Sequence, residues 1–555
     1  MNLPKPSLSE LMNMVKANIR SYRAEQAAQV AAAGGIVPPR TSPLSLVKMA
    51  GVSEGMEYTS RTADQEVDTV AICPSHPEYM IIGTYSLLKK DEPCDYTGQT
   101  RRGSLQVMTV MSTFKPKYAG MRRPLLDRVD FPCAVLDIHF HPNDDTLLGV
   151  ATSNAAVHFF RFVVYGDVLG RRIVGKLLSL GSVRVAENDE HGLVPLVTQF
   201  TWFPETRTHG VVGISDVIDV GFVATTSFGQ TRVVTLSLPA VKDLFDERLD
   251  RPLQLLTPRS NEVVHTHELE AWTVAAVDLG GTAGHDSRSK PSRVILSGGD
   301  DSALIASSVS LPANATSVYP STSDSPSLSS CDTLCPDATP LWKDRRTHTA
   351  GVVAILPLSP TTVYNGKNGD GGDRKDIVPL LTGSYDEFVR VFELDIKTHR
   401  ASFKTDLRLD GGVWRLKVLD EYSTTPRDRG QDTAPQHHTL ILASLMHAGA
   451  AILRVTHTAG SSGSSPPDGT WTITPVTVCR AGHESMVYCC DARLDNGSTE
   501  RDNPRAQLHE GKEPVREGVS PAKEEAPAYT IVSTSFYDMK ICTWKFVDDF
   551  KVQNQ

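Results

Sequence analysis

The hydrophobic pattern of the chain is dominated by pairs of short alternating segments that meet at a tight turn. In residues 380–395, LLTGSYDEFVRVFELD, an apolar run leads to Asp386 and is followed by alternating apolar and polar positions. Aspartate favours turns because its carboxylate bonds to nearby backbone N–H groups, and a period of two is typical of a strand with one buried face. The segment therefore predicts a β-hairpin.

The same pattern recurs along the chain. LSGGDDSALIAS (296–307) and STSFYDMKICTW (533–544) repeat it, and a histidine precedes each of the three hairpins. The histidine and turn-aspartate pairs are His267 with Asp301, His348 with Asp386, and His483 with Asp538. Weaker copies begin at VDTVAIC, AVLDIHF, LVTQFTWF and GGVWRLKV, which brings the number of units to seven.

Units of this kind predict an all-β fold, a seven-bladed WD-repeat β-propeller. A single four-stranded blade cannot bury both of its faces, whereas blades arranged radially cover one another and leave only short edges. Trp544 occupies the tryptophan position of the last unit, and Phe392 and Phe160 replace it elsewhere. Residues around 57–70 are expected to close the ring by adding an outer strand to the last blade, after 541–546.

Residues 1–50 are predicted to form an N-terminal extension with an amphipathic helix, and residues 51–555 the propeller. The helix is indicated by apolar residues at helical spacing, namely Leu8, Leu11, Met12, Val15 and Ile19. A docking helix and a transit peptide both remain open. The basic side of the helix favours a transit peptide, whereas Glu10 and Glu25 count against it.

Five stretches rich in Ser, Pro, Gly or charge are predicted to be disordered inserts, because they cannot bury enough apolar surface to offset the entropy of ordering. They are residues 311–340, 361–376, 421–438, 458–470 and 495–527. Their presence accounts for the irregular spacing of the repeats.

Composition and charge exclude several classes of function. Among 555 residues, the net charge of −9 predicts no broad basic surface for nucleic acid or an anionic membrane. No apolar run approaches the roughly 20 residues that cross a bilayer. The nine cysteines contain no CxxC pair, so we expect reduced thiols, a cytoplasmic location and no metal or cofactor. We expect a monomer.

Without a G-x-S-x-G, Walker or HExxH motif, the residue pattern alone favours a binding scaffold over an enzyme.

Several segments resemble one particular WD-repeat family. They are VDTVAICPSHPEYMIIGTYSL, HTHELEAWTVAAVD before VILSGGDDS, HTAGVVAI before LLTGSYDEFVRVFELD, LDGGVWRLKV before LASLMHAGAAIL, GHESMVYCCD and TIVSTSFYDMKICTW. In this order, from about residue 66 to 546, they are similar to the diphthine methyltransferase, or diphthine methylesterase, family of diphthamide biosynthesis.

The resemblance implies hydrolysis of a methyl ester on translation elongation factor two, which yields diphthine and methanol. The modified histidine of that substrate also carries a trimethylammonium group. Hydrolysis is favoured over methyl transfer because nothing in the chain resembles a Gly-rich site for S-adenosylmethionine. Elongation factor two and other proteins of the pathway are the implied partners. The alternative is a non-catalytic adaptor that recruits a partner protein.

Three residues are candidates for the ester chemistry, which needs an activated water and donors for an oxyanion. When ASLMHAGAAIL (443–453) is aligned with TGSYDEFVRVF (382–392), His447 falls at the turn position of Asp386, which makes it the candidate base. Glu484 and Arg415 are the other two, and alternation predicts that Arg415 faces away from Trp414. A turn contact, a solvated loop and an interblade ion pair are the respective structural alternatives.

Four aromatic residues are candidates for binding the substrate cation, because aromatic faces attract quaternary ammonium groups. They are Tyr385, Trp414, Trp272 and Tyr537, each at a turn or the start of a strand. Core packing is the structural alternative for the two tryptophans. The three histidine–aspartate pairs are expected to stabilise blades rather than to act in catalysis.

Overall fold

The structure is a computed structural model, and it describes most of the region that follows residue 56. The described residues are 57–87, 101–110, 125–166, 173–211, 214–240, 254–279, 292–310, 337–365, 373–424, 435–459, 469–495 and 526–554. All of them belong to one compact unit, Ser53–Gln555. The predicted N-terminal helix lies outside the described residues.

The described residues form 31 strands and one short helix, α1 (Asp549–Asn554). The strands are β1 (Tyr58–Thr62), β2 (Val67–Ile72), β3 (Tyr79–Thr84), β4 (Ser86–Leu87), β5 (Arg101–Thr109), β6 (Leu125–Phe131), β7 (Val135–His141), β8 (Asp144–Thr152), β9 (Ala156–Gly166), β10 (Ile173–Arg184), β11 (Val197–Trp202), β12 (Arg207–Val211), β13 (Ile214–Thr226), β14 (Gln230–Pro239), β15 (Ser260–Thr266), β16 (Ala271–Asp278), β17 (Ser292–Gly299), β18 (Leu304–Ser310), β19 (Asp337–Asp344), β20 (Val352–Pro357), β21 (Thr361–Asn365), β22 (Asp373–Ser384), β23 (Phe388–Asp395), β24 (Ala401–Arg408), β25 (Arg415–Thr424), β26 (Gln436–Ser444), β27 (Ala450–Thr458), β28 (Thr470–Cys479), β29 (Val487–Asp495), β30 (Ala528–Ser535) and β31 (Lys540–Val547).

These strands form seven antiparallel sheets, the blades, which we number in chain order. From the inside outward, the blades are β2-β3-β5-β6, β7-β8-β9-β10, β11-β13-β14-β15, β16-β17-β18-β19, β20-β22-β23-β24, β25-β26-β27-β28 and β29-β30-β31-β1. The innermost strands contact one another in sequence, and β29 of blade 7 contacts β2 of blade 1. The ring is therefore closed, which confirms the predicted seven-bladed WD-repeat propeller.

Closure depends on β1, the first described strand. β1 pairs with β31, so that Tyr58 lies opposite Trp544 and Thr62 opposite Lys540. The earliest described residues thus complete the blade that the last strands of the chain form. This is the closing strand that the sequence predicted.

The glycine that precedes the hairpin turn lets the neighbouring blade approach closely. A Cβ atom on Gly383 would lie only 2.6 Å from Cγ1 of Val413 in the next blade, and Gly298 has the same relation to Val352. Contacts that short do not occur between real side chains, so a larger residue would push the blades apart. This packing explains the recurring glycine in SGGDD and TGSYD.

Buried histidines hold the blades together internally. In blade 7, the His483 imidazole contacts Ser533 Oγ and Ser535 Oγ, both at 2.7 Å, and the Trp544 indole N–H donates to Ser533 Oγ at 3.3 Å. In blade 4, His267 lies 2.8 Å from an Asp301 carboxylate oxygen. These buried contacts satisfy polar groups that would otherwise be costly to desolvate, which is a stabilising role.

As in blade 7, the histidine of blade 5 bonds to a hydroxyl group rather than to the turn aspartate. His348 contacts Thr382 Oγ1 at 2.9 Å, whereas Asp386 accepts a hydrogen bond from the Thr349 backbone N–H at 2.9 Å and pairs with Arg390 at 2.7 Å. The histidine and aspartate of this blade are therefore held by separate partners rather than by each other.

The edges of the predicted inserts are strands. β19 begins at Asp337, β21 and the start of β22 pair with each other across 361–365 and 373–377, and β25 and β26 continue to Thr424 and from Gln436. The boundaries predicted from composition were wrong by these residues, because strands pair through backbone hydrogen bonds, which polar side chains do not prevent. The middle of each insert lies outside the described residues.

No helix in the described part of the chain is long and apolar enough to cross a membrane. The six cysteines in the described part of the chain, among them Cys489 and Cys490, are free and buried.

Candidate active site

An irregularity shared by the innermost strands presents one residue of each blade at the same end of the propeller axis. The pairing register shifts between Val67 and Thr69 in β2, and equivalent shifts occur in the inner strands of blades 2, 3, 4, 5 and 7. The extra residue of such a bulge is re-aimed away from the regular alternation. Including Trp414, which directly precedes β25, the seven residues are Asp68, Leu136, Thr198, Trp272, Val353, Trp414 and Tyr488, and we call them the axial ring.

Aromatic side chains cover this end of the axis. Trp414 of the axial ring packs against Trp272 of blade 4, Tyr385 of blade 5 and Tyr488 of blade 7, with ring centroids 5.8, 5.8 and 5.1 Å apart. Tyr488 continues to Phe536 at 5.4 Å. We call the connected group the aromatic cluster, and its members are Tyr85, Trp272, Tyr385, Trp414, Tyr488, Phe536 and Tyr537.

Most of the cluster is accessible in part. Trp272, Tyr385, Trp414 and Tyr488 are half-buried, and Tyr537 is 48% exposed. None of the four predicted aromatic residues is therefore a fully buried core residue, in contrast to Trp544, which is completely buried. Partly exposed aromatic faces grouped at the end of an axis are suited to binding a ligand.

Asp68 is the axial-ring member of blade 1, and its surroundings favour the protonated form. Burial raises the pKa of this carboxyl to about 7, with Arg415 opposing the rise and Asp137 adding to it. Within the described residues, no hydrogen bond or ion pair is made by the Asp68 side chain. The carboxyl is half-buried rather than sealed from solvent.

Arg415 carries the positive charge of the site. Its guanidinium lies 5.1 Å from the Trp414 ring, and Nη1 donates to the backbone carbonyls of Trp414 at 3.2 Å and Val353 at 3.4 Å. Its positive charge also favours the ionised forms of Asp68 and Asp137, which belong to two other blades. At Asp68 burial outweighs this effect and the pKa is raised, whereas at Asp137 the pKa is lowered. The prediction that Arg415 faces away from Trp414 was wrong, because Trp414 precedes β25, so the strand alternation on which the prediction depended does not include it.

Asp137, beside the axial ring in blade 2, makes an ion pair and a hydrogen bond within the propeller. Its carboxylate lies 2.9 Å from His139 Nε2 and accepts a hydrogen bond from the Phe200 backbone N–H at 3.2 Å. Burial alone would raise the pKa of Asp137, but His139 and Arg415 hold it below its ordinary value. Asp137 is therefore a fixed negative charge.

The tyrosines of the cluster are hydrogen-bond donors. Burial, together with the charge of Asp300, raises the pKa of Tyr385 well above its usual range. Burial also raises the pKa of Tyr488, with further contributions from Tyr537 and Asp68. Both phenols are therefore neutral across the physiological range and offer O–H groups to a developing negative charge.

A second carboxyl near the cluster also has a raised pKa. Burial raises the pKa of Asp300 to about 6, against the opposing effect of the Trp272 indole and with added repulsion from Glu270 and Asp301. The aromatic cluster thus lies among several acidic groups, which adds electrostatic attraction for a cation to that of the aromatic faces.

The predicted site residues divide into two groups. Trp272, Tyr385, Trp414 and Tyr537 belong to the aromatic cluster, and Arg415 adjoins it. No hydrogen bond, ion pair or ring contact connects the other two predicted residues to the cluster within the described residues.

The remaining two lie in separate turns. His447 is in the turn between β26 and β27, as the alignment with Asp386 predicted, and its imidazole makes no hydrogen bond to another described residue. Glu484 is exposed, and its backbone N–H donates to Asp538 at 2.7 Å.

Sequence reasoning missed four members of the site. Asp68, Tyr85, Tyr488 and Phe536 were not predicted, although two of them carry a detectable signal. Aligning the starts of the seven inner strands puts Asp68 and Tyr488 in the same column as Trp272 and Trp414. The described residues contain no group of three or more His, Cys, Asp or Glu side chains placed to hold a metal ion.

The described residues form a WD-repeat propeller with a cluster of aromatic and acidic side chains at one end of its axis. The chain is similar to a curated protein of Schizosaccharomyces pombe named diphthine methyltransferase, with 22% identity over 497 residues, which cover 89% of this chain and 98% of that protein. The resemblance seen in the sequence motifs is thereby confirmed. No family model matches the chain.

Among solved structures, the crystal structure of Saccharomyces cerevisiae Sqt1 aligns with 88% of this chain and 98% of its own. That alignment has a TM-score of 0.38 and 10% sequence identity.

Proposed function

We propose that this protein acts in diphthamide biosynthesis as an esterase. It hydrolyses the methyl ester of diphthine methyl ester on translation elongation factor two and releases methanol. The proposal assigns the reaction to the end of the propeller axis that carries the aromatic cluster. The observation that carries it is the combination of aromatic faces, acidic groups and the Arg415 guanidinium at one place.

The aromatic cluster fits the permanent cation of this substrate. A quaternary ammonium group is attracted by aromatic faces within about 6 Å, and the attraction increases when the cation is desolvated. Trp414 contacts three other rings of the cluster, so it is the central wall of the proposed cation pocket. The ionised Asp137 adds long-range attraction.

Arg415 and the tyrosines fit the ester end of the substrate. Attack of water on the ester carbonyl places negative charge on the carbonyl oxygen, and donors aimed at that oxygen lower the barrier. Arg415 and the neutral phenols of Tyr385 and Tyr488 supply such donors near the cation pocket. A cation pocket and an oxyanion pocket side by side match a substrate that carries both groups.

The sequence comparison supports the pathway. The relative named diphthine methyltransferase aligns with nearly its whole length and with 89% of this chain, so the similarity includes the propeller and not one repeat alone. We propose hydrolysis rather than methyl transfer, because donors and carboxyls around a cation pocket suit an activated water.

A non-catalytic adaptor is the second candidate. The observation that favours it is the position of His447 and Glu484, two predicted catalytic residues that make no hydrogen bond, ion pair or ring contact with the aromatic cluster in the described part of the chain. An adaptor would bind the modified side chain, or another cationic side chain, without transforming it.

Two measurements separate these functions. Mass spectrometry of elongation factor two from cells that lack this protein should show accumulated methyl ester if the protein is the esterase, and normal diphthamide if it is an adaptor. Purified protein should release methanol from the methylated factor, and Tyr385→Ala should slow this release. Tyr165→Ala, which removes an exposed tyrosine of blade 2, is the matched control. His447→Ala tests the predicted base, and unchanged rates with both Tyr385→Ala and His447→Ala would reject this site.

A further inference from the structure

Asp68 differs from Asp137 and Asp491, the other carboxylates near the axis, in the hydrogen bonds and ion pairs that its side chain makes. Asp137 is bound to His139 and to the Phe200 backbone N–H. Asp491 accepts a hydrogen bond from the Ile72 backbone N–H at 2.7 Å and pairs with Lys417, so it connects blades 6, 7 and 1. The Asp68 side chain has no such partner in the described part of the chain.

The position of Asp68 is equally specific. It occupies, in blade 1, the bulge position that Trp272 and Tyr488 occupy in blades 4 and 7, and Trp414 holds the matching place just before β25. Those three equivalents form the centre of the aromatic cluster. An acidic residue at this position places a carboxyl at the same end of the axis as the cluster, in a residue that is partly exposed.

The charged and titratable groups around Asp68 come from three other inner strands. Arg415 lies at the start of β25, Asp137 is in β7, and Tyr488 is in β29. Arg415 opposes protonation of Asp68, whereas Asp137 favours it. Burial has the largest effect, and the net result is a carboxyl that titrates near neutrality. Such a group can exist as a base and as an acid at the working pH, which general acid–base catalysis requires.

We propose that Asp68 is the general base of the esterase reaction, accepting the proton of the attacking water beside the aromatic cluster. This inference rests on the proposed function. The sequence predicted His447 as the base, and its imidazole makes no hydrogen bond or ring contact with the cluster in the described part of the chain. Asp68 takes that role because it occupies the axial-ring position equivalent to Trp272 and Tyr488.

The reaction balances with Asp68 alone as the proton carrier. The Asp68 carboxylate removes a proton from water while the water oxygen bonds to the ester carbonyl carbon, and the carbonyl electron pair moves to the oxygen near Arg415. The tetrahedral intermediate then collapses, the bond between carbon and the methoxy oxygen breaks, and the Asp68 carboxyl returns its proton to form methanol. The new carboxylic acid of the product releases its own proton to solvent.

The test compares Asp68→Asn with the wild-type protein in the methanol-release assay. Asparagine has nearly the same shape but cannot accept the proton, so we expect kcat to fall by about 10²–10⁴-fold. The affinity for the methylated factor should change little, because the cation pocket is intact. Glu190→Gln, a change at an exposed loop residue, is the control for loss of one negative charge.

The pH profile provides a readout that a structural role would not produce. In the wild type, kcat/KM should rise through a pKa near 7 as Asp68 ionises. Arg415→Gln removes the cation that favours ionisation, so this rise should move to higher pH, and Arg415→Lys should restore its position. Both variants keep the Asp68 carboxyl, so they test the assignment even if Asp68→Asn folds poorly.

The outcomes are distinguishable. Suppose that the wild-type protein is active. The role of Asp68 is then overturned if Asp68→Asn is equally active, or if Arg415→Gln leaves the pH profile unchanged, and the proposed function stays intact in either case. If the wild-type protein releases no methanol from the methylated factor, both proposals are overturned.

Discussion

Replacing Asp68 by asparagine is expected to stabilise the folded protein at neutral and alkaline pH. In the folded state the pKa of Asp68 is raised from an ordinary 3.8 to about 7, chiefly by burial. A raised pKa means that the native state favours the protonated form. The associated stability is complete below about pH 4 and is lost as the pH rises towards 7. Asparagine, which cannot ionise, avoids this loss.

The magnitude follows from the size of the shift. A rise of about 3 pKa units corresponds to about 4 kcal/mol between the two protonation states. Because Asp68 is half-buried and water screens part of this effect, we expect about 2 kcal/mol. The variant should therefore match the wild type near pH 4, gain stability between pH 4 and 7, and keep the gain at pH 8. Loss of activity with a gain of stability is the pattern that a functional carboxylate produces.

Denaturant midpoints measured for both proteins at pH 4, 6 and 8 provide the assay. Other titrating groups are shared, so they cancel when the two proteins are compared at each pH. Glu190→Gln serves as the control and should show no trend with pH, since the Glu190 side chain is 86% exposed. A stability difference that stays constant from pH 4 to 8, or an Asp68→Asn protein that is less stable at pH 8, would refute the reasoning.

Further predictions concern binding and stability. Trp414→Ala should weaken binding of a tetramethylammonium probe by about 0.5–2 kcal/mol in fluorescence titrations, and Trp414→Phe should restore part of the affinity. Equal binding by the wild type and both variants would contradict the cation pocket. Asp548→Ala leaves the buried guanidinium of Arg454, now 2.6 Å from the Asp548 carboxylate, without its partner, and should lower the unfolding free energy by about 3–5 kcal/mol. Ser533→Ala removes the hydroxyl shared by the buried histidine and tryptophan of blade 7 and should cost about 1–3 kcal/mol in thermal unfolding, whereas an unchanged melting temperature would argue against that network. Deleting residues 50–66 removes the closing strand and should leave the protein insoluble, so a soluble, cooperatively folding truncation would contradict closure by β1.

The arrangement of strands was predictable because it is encoded locally. Alternation with period two and an aspartate turn specify a hairpin within about 16 residues, and LLTGSYDEFVRVFELD forms β22 and β23 joined at Asp386 as expected. The number of such units then determined the number of blades. Even the closing strand was predictable, since a propeller whose last blade lacks an outer strand must take one from elsewhere in the chain.

The edges of the inserts were harder to predict. Residues 361–365 and 373–376 read as polar loop, yet they form paired strand. Their pairing depends on backbone hydrogen bonds between β21 and β22, which polar side chains do not prevent. Composition alone cannot report such pairing.

By itself, the sequence determined that this protein is a seven-bladed ring and which aromatic residues stand at the ends of its strands, because both properties depend on patterns a few residues long. Only the tertiary structure decided that the Arg415 guanidinium lies beside the Trp414 ring and that its charge reaches Asp68. Asp68 and Arg415 are almost 350 residues apart in the chain, and they influence each other only because the ring brings blades 1 and 6 to a common axis. In six of the seven blades a bulge at the start of the inner strand re-aims one side chain, and strict alternation cannot anticipate it.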